Sequence, residues 1–157
     1  MSKGDYMNSP KVSLLCCVYN GRDLLSETIS RINQLELIDN TTLELVVVDN
    51  NSTDESVELI CSLFKKDERH SLKILTEKRQ GAGWATRTGL LACEGDYIGV
   101  VDQDNWVHPD WLLAGCFALD NNPKLGGIGS LNHAVFETEK PDWFDRYQAN
   151  YAVGPQL

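Results

Sequence analysis

Asp102 and Asp104 stand one residue apart, directly after the apolar run Tyr97–Val101. Two carboxylates on a turn leaving a buried strand can face one cavity and divide the work. One can ligate a hard divalent cation, which takes oxygen ligands and completes its shell with water and phosphate oxygens. The other can accept hydrogen bonds from the hydroxyls of a ribose or a sugar. A single acid at a strand end more often caps the next turn, so it is the pair that carries this reading. Asp49 ends a second apolar run, Leu43–Val48. An ionised carboxylate only accepts hydrogen bonds, so Asp49 can read the N3–H of uracil or thymine. Cytosine presents an acceptor there, and guanine would be excluded only by pocket size. An Asx-turn would suit Asp49 equally, as it would Asn50 and Asn51. Tyr19 and Asn20 close a third run that starts at Val12, where the ring could stack on a base or belong to the core.

These residues share a rim only if the three runs are neighbouring strands. Val12–Tyr19 and Leu43–Val48 are continuously apolar, the pattern of strands buried on both faces. Leu72–Leu75 and Tyr97–Val101 supply a third and a fourth. Helical spacing follows each: Leu25, Ile29 and Ile32 after the first, and Val57, Ile60, Leu63 and Phe64 after the second. Ser52-Thr53-Asp54-Glu55 reads as a capping box for that second helix. Trp84–Ala92 is a third helix, weakened by Gly89 and closed by Gly95. A fourth carries Trp111, Leu112, Phe117 and Leu119, with Pro109 at its first position and Asn121-Asn122-Pro123 as its stop. Strands alternating with helices, over connections too long for hairpins, predict an α/β fold: a mostly parallel, Rossmann-like sheet with helices on both faces. Ligands of such sheets bind outside the carboxyl ends of the strands.

At 157 residues, 42% of them hydrophobic, the chain suits one domain with a substantial core. Its net charge of −9 argues against nucleic acid as a partner. Five cysteines without CxxC spacing, two of them adjacent at Cys16 and Cys17, suggest reduced thiols rather than disulfides or zinc. No apolar run approaches the ~18 residues of a membrane span, so the expectation is a cytoplasmic protein, with peripheral association at the inner face of the membrane compatible. Residues 1–10 read as a polar leader, 11–132 as the α/β domain, and 133–157 as the start of a segment that is cut short. Trp143, Phe144, Tyr147 and Tyr151 crowd that last stretch and predict an exposed apolar patch.

Taken together, VSLLCCVYNGRDLL, ELVVVDNNSTDES and EKRQGAGWATRTGLLACEGDYIGVVDQDN resemble the nucleotide-sugar-binding half of family 2 glycosyltransferases of the GT-A fold. Four ordered motifs carry the resemblance, over roughly residues 12 to 115. It implies an inverting transfer of sugar from a nucleotide sugar, UDP-linked on this reading, to a glycan or lipid-linked acceptor. By the same resemblance Asp49 reads the base, Tyr19 lines the base pocket, and Asp102-Gln103-Asp104 is the DxD motif. Asp102 then contacts ribose or donor sugar, and Asp104 ligates Mg²⁺ or Mn²⁺ on the diphosphate. Asn20 and Asn51 join the nucleotide- and sugar-binding set by position. The family commonly carries G-x-x-x-A-R-N-x-G before the DxD strand; here Thr86 takes the Arg position and Arg87 the Asn position. A shift of one residue turns the cation about 100° around a helix, which leaves Arg87, Arg79 or Lys78 as candidates to meet the donor.

Two other classes compete. Asp102 could be the nucleophile of a haloacid-dehalogenase-like phosphohydrolase, but Asn105-Trp106-Val107 does not continue that motif. A non-catalytic nucleotide-sugar-binding module is the other. Gly81-Ala82-Gly83 is too slight for a dinucleotide fingerprint, and Trp106 occupies a position where an EF-hand needs oxygen. His70, His108 and His133 lack metal-ligand spacing, and Trp84 and Trp111 read as core. Glu137, Glu139, Asp142 and Asp145 include no residue whose context marks the general base that such a transfer requires.

Overall fold

The side chains of Val12 to Cys16, and all those from Leu43 to Val48, are buried, so both faces of their strands must be covered. The computed structural model, which describes residues 11–38, 40–151 and 153–155, shows how. The expected leader, residues 1–10, lies outside the described residues. Strands β1 (Lys11–Val18), β2 (Thr42–Asp49), β3 (His70–Thr76) and β4 (Tyr97–Val100) form one sheet in the order β3-β2-β1-β4. All three pairings are parallel, with Val18 opposite Asp49, Asp49 opposite Thr76, and Leu15 opposite Val100.

Strand alternation sorts the core into two layers. Val12, Leu14, Cys16 and Val18, with Leu43, Leu45 and Val47, face helices α1 (Arg22–Ile32), α2 (Ser56–Leu63) and α4 (Trp111–Asp120). Those helices contribute Leu25, Ile29, Ile32, Ile60, Leu112 and Cys116. Leu15, Val46 and Val48 face α3 (Ala82–Ala92) through Ala85. The helices therefore lie on both faces, and the adjacent cysteines point into different layers. Small residues let α3 sit close. A Cβ on Gly89 would stand 3.0 Å from Val48 Cγ2 and nearer still to Leu15 Cδ1, so the glycine expected to weaken this helix is what lets it pack.

A polar knot, buried at Ser13 and Glu44, ties the amino-terminal ends of the strands. The Ser13 hydroxyl donates to Glu44, and Glu44 Oε1 accepts the Glu94 N–H at 2.7 Å. Lys11 Nζ bridges Glu44 at 3.2 Å and Glu94 at 3.0 Å, and Lys73 Nζ reaches Glu94 at 2.9 Å. Burial pushes the Glu44 carboxyl up, but hydrogen bonds from Ser13, the Glu94 N–H and Lys11 outweigh it and hold the group below its usual range. Lys73, then Lys11, draw the Glu94 carboxyl down to about 2.

Three local expectations are corrected. Ser52–Glu55 does not form a capping box: α2 starts at Ser56, Glu55 makes no side-chain cap, and Ser52 belongs to the preceding turn. Pro109 precedes α4 by two residues, and its carbonyl accepts the Glu36 N–H at 2.7 Å. Trp84 is 45% exposed rather than core, whereas Trp111 does pack against the core.

Residues 117–157 form a second compact unit. In it β5 (Leu131–Asn132) pairs antiparallel with β6 (Gly154–Pro155), and α5 (Phe144–Tyr147) runs into a short 3-10 helix, Gln148–Tyr151. Phe144 is buried here, edge-on to Phe136 at 4.8 Å between ring centroids, with Trp143 and Tyr151 near 6 Å. Of the four expected aromatics, Trp143, Tyr147 and Tyr151 remain exposed.

Candidate functional site

The parallel register carries Tyr19, Asp49, Glu77 and Asp102 to the carboxyl-terminal rim of the sheet. All strands point the same way, and it is the strand order that reverses at β1: β2 and β3 lie to one side, β4 to the other. That switch point lies between β1 and β4.

Nearest the switch point, the turn Asp102-Gln103-Asp104 alternates. Asp102 and Asp104 are exposed, while Gln103 between them turns inward. Asn105 N–H donates to the Asp102 carbonyl at 3.1 Å and closes the turn. Among the described residues neither carboxylate has a hydrogen-bonding or ionic partner, and both lie close enough to β1 to act on Cys16. Burial chiefly pushes that thiol up to about 12, with smaller pushes from Cys17, Asp102 and Asp104. Two unpartnered carboxylates supply hard oxygen donors, the set that Mg²⁺ or Mn²⁺ accepts. Among the described residues no group of three or more His, Cys, Asp or Glu is arranged to hold a metal. A cation here would thus draw most of its shell from water and phosphate oxygens, as Mg²⁺ usually does.

Asp49 is half-buried and serves the turn that sequence offered as its alternative role: its Oδ1 accepts the Ser52 N–H at 3.0 Å. Its Oδ2 has no partner among the described residues. Tyr19 is 49% exposed, so its ring belongs to the rim and not to the core.

Asn20 and Asn51 both sit at positive φ, 46° and 66°, which asparagine tolerates better than most residues. Both spend their side chains on the scaffold. Asn20 Oδ1 accepts the Thr53 N–H at 2.8 Å, and Asn51 Nδ2 donates to the Lys78 carbonyl at 2.9 Å. Asn50, which the sequence reading did not assign to the site, does more. Its Nδ2 donates to the carbonyls of Glu77 and Arg79, and its Oδ1 accepts the Gly81 N–H, all within 2.8 Å. The pair thus clamps the loop from β3 to α3 onto the end of β2.

The amino terminus of α1 is capped from a distance. Its N-cap, Gly21, has no side chain to offer, and the N–H groups of Asn20, Gly21 and Arg22 donate instead to Ser52 Oγ, Ser56 Oγ and Asp54 Oδ2. The true function of the Ser52–Ser56 segment is therefore to satisfy another helix. Helix termini are ready anion sites only while their N–H groups are free, and these are not.

Cations at the rim are unequal. Arg79 is held by Glu77, Nε to Oε1 at 2.9 Å and NH2 to Oε2 at 2.6 Å, and its guanidinium stacks over Trp84. Arg79, and then the Thr88 hydroxyl at 2.6 Å, hold the buried Glu77 carboxyl well below the usual carboxylate range. Arg87 is exposed on α3, while Thr86 faces the sheet with its Oγ1 3.7 Å from Cys17 Sγ. Lys78 is exposed and offers its backbone carbonyl to Asn51.

The sheet order, the helices on its two faces and the acid-lined rim define an α/β fold of the GT-A type, and comparison with known proteins agrees. The model of the family described as Glycosyl transferase family 2 matches residues 13–152, and the chain belongs to that family. It is 36% identical over 107 residues to an uncharacterized glycosyltransferase of Haemophilus influenzae, covering 68% of this chain and 41% of the relative. It is 30% identical to a poly(ribitol-phosphate) beta-glucosyltransferase of Bacillus spizizenii, over 93% of this chain and 24% of the relative. The chain thus spans less than half the length of these relatives. Among solved structures, a mannosyltransferase of Pyrobaculum calidifontis in complex with GDP-Man and Mn²⁺ superimposes with a TM-score of 0.68 at 26% identity, over 80% of this chain and 36% of that one. S. aureus TarS 1-349 in complex with UDP gives a TM-score of 0.64 at 20% identity, over 82% of this chain and 40% of that one, a likeness of fold. Among the described residues no helix is long and apolar enough to cross a membrane.

Proposed function

We propose that this chain is the donor-binding half of an inverting glycosyltransferase that takes its sugar from a UDP-linked donor, with Mg²⁺ or Mn²⁺, for a glycan or lipid-linked acceptor. The observation that carries the reading is the rim itself. Asp49, Tyr19 and the Asp102/Asp104 pair follow three adjacent parallel strands and border the one switch point of the sheet. Asp49 Oδ2 accepts the uracil N3–H and Tyr19 offers its exposed ring to the base. Asp102 takes ribose or donor-sugar hydroxyls, and Asp104, with Asp102 beside it, would hold the cation. When bound, that ion supplies Lewis-acid neutralisation of the departing diphosphate. Asn20 and Asn51 serve the donor by shaping its loops, Arg79 brings the fixed positive charge, and Arg87 stays peripheral.

The occupied amides of α1 support the need for a cation. A diphosphate arriving at a chain of net charge −9, beside unpaired carboxylates, finds the Gly21 and Arg22 amides at the start of α1 already engaged. Relatives of the same fold that are solved with UDP, or with GDP-Man and Mn²⁺, support the class of donor. Residues 133–157 are the start of the acceptor side in this reading. Calorimetric titration with UDP, CDP and GDP, with and without Mn²⁺, tests it. The expected result is preferential UDP binding, strengthened by Mn²⁺ in the parent and not in Asp104→Ala. Equal Mn²⁺ enhancement in Asp104→Ala would remove the metal assignment, and sugar transfer to an acceptor separates an enzyme from a binding module.

A further inference from the structure

Gln103, the residue between the two acids, makes contacts that neither a ligand-binding nor a solvent-exposed residue would need. Its Oε1 accepts the Tyr19 N–H at 2.9 Å and its Nε2 donates to the Tyr19 carbonyl at 3.3 Å. Backbone pairing of β1 with β4 has ended by then: the last paired residues are Leu15 and Val100, and Val101 N–H reaches back to the Leu15 carbonyl. Beyond that point the side-chain amide of Gln103 does what a peptide group would do, and bonds both polar groups of one residue on the neighbouring chain. The Gln103 carbonyl is itself held by the hydroxyl of Thr28, buried on α1, at 2.9 Å. Gly21 leaves the space for the amide, since a Cβ there would lie 2.7 Å from Gln103 Cδ.

One side chain therefore joins the turn that presents Asp102 and Asp104 to the loop that presents Tyr19. We propose that Gln103 is a positioning residue that couples the cation side of the donor site to its base side. The proposal rests on the UDP reading given above. With Gln103 turned inward, its two neighbours are turned outward, so the same peg sets the reach of both carboxylates. If the acid turn shifts when a cation and diphosphate bind, Tyr19 shifts with it, and the two halves of the donor are bound in one register. Coupling of this kind is reciprocal: whatever the cation adds to base binding, the base adds to cation binding.

The test measures UDP affinity with and without Mn²⁺ in the parent, Gln103→Ala, Gly21→Ala, the double variant and Thr28→Val, each checked for native circular dichroism. Gln103→Ala should lower the Mn²⁺ enhancement of UDP binding by on the order of fivefold and speed hydrogen exchange at the Tyr19 amide. Gly21→Ala should cause a similar loss by pushing the amide aside, yet add nothing further in the Gln103→Ala background, where its methyl has room. Thr28→Val, which keeps the glutamine and removes only the hydroxyl, should also lower the enhancement and supplies the readout if Gln103→Ala does not fold. An undiminished Mn²⁺ enhancement in folded Gln103→Ala or Thr28→Val, or losses that simply add in the double variant, would overturn the coupling and leave the UDP reading standing. A parent chain that binds no UDP would overturn both.

Discussion

The guanidinium carbon of Arg79 lies 4.1 Å from the centroid of the Trp84 ring, with Glu77 holding the same guanidinium by two hydrogen bonds. The stack keeps a cation in one place at the rim and explains why an indole stays exposed on α3. If Arg79 meets the donor from this perch, Trp84 acts only through it. Arg79→Ala, Trp84→Ala and the double variant should then lose UDP affinity by the same factor in calorimetry. Losses that multiply would mean that the indole touches the nucleotide by itself.

Asp49 gives the sharpest base test. Removing an acceptor that receives a hydrogen bond as a charged group costs about 1.5–3 kcal/mol, roughly ten- to a hundredfold in affinity. Asp49→Ala should lose this much for UDP and little for CDP, whose ring nitrogen never donated to it. Matching losses for the two nucleotides would reduce Asp49 to its turn with Ser52.

Asn50→Ala addresses the scaffold beneath. The substitution strands the carbonyls of Glu77 and Arg79 and the Gly81 N–H. Buried groups left without partners cost roughly 1–3 kcal/mol. Urea denaturation should report a loss of that size with an unchanged m-value, and UDP binding should weaken as the β3–α3 loop loosens.

The polar knot makes stability depend on acid. Glu94 is held at about 2 in the folded chain against an ordinary 4.5. Its contribution is therefore complete above about pH 4.5 and is lost as pH falls toward 2. Thermal melts between these limits should show a shallower decline in Glu94→Gln than in the parent, with the variant already less stable at pH 7. Parallel declines would place the acid sensitivity elsewhere.

Much of this fold was legible because apolar runs announce strands buried on both faces, and VSLLCCVY and LELVVV fall within one residue of β1 and β2 at either end. The site was legible as far as strand ends go: Asp49, Asp102 and Tyr19 all follow strands that the pattern marks. What escaped were contacts between loops far apart in sequence. Gln103 bonds a residue 84 positions away, and Ser52, Asp54 and Ser56 cap a helix that starts some thirty positions earlier. A local motif such as the capping box names the right residue types but not the helix they will serve. Trp84 was misplaced for a related reason. An indole on a helix reads as core by residue type, while its partner here is a cation from the preceding loop. Gly89 was read by propensity alone, which sees the cost to a helix and not the Leu15 side chain against it.

The remote capping of α1 has a consequence for how the protein meets its surroundings. Many nucleotide-binding folds carry their anion receptor in the backbone, always present and independent of solution conditions. Here those amides are closed off by hydroxyls and a carboxylate of the neighbouring loop. On the reading proposed above, recognition of a donor diphosphate then leans on a divalent ion collected from solvent, beside the fixed charge of Arg79. Occupancy by the donor becomes a three-body event, rising with the concentration of free divalent ion as well as of nucleotide. A chelator should therefore act on this chain as a competitor of the sugar nucleotide without resembling it.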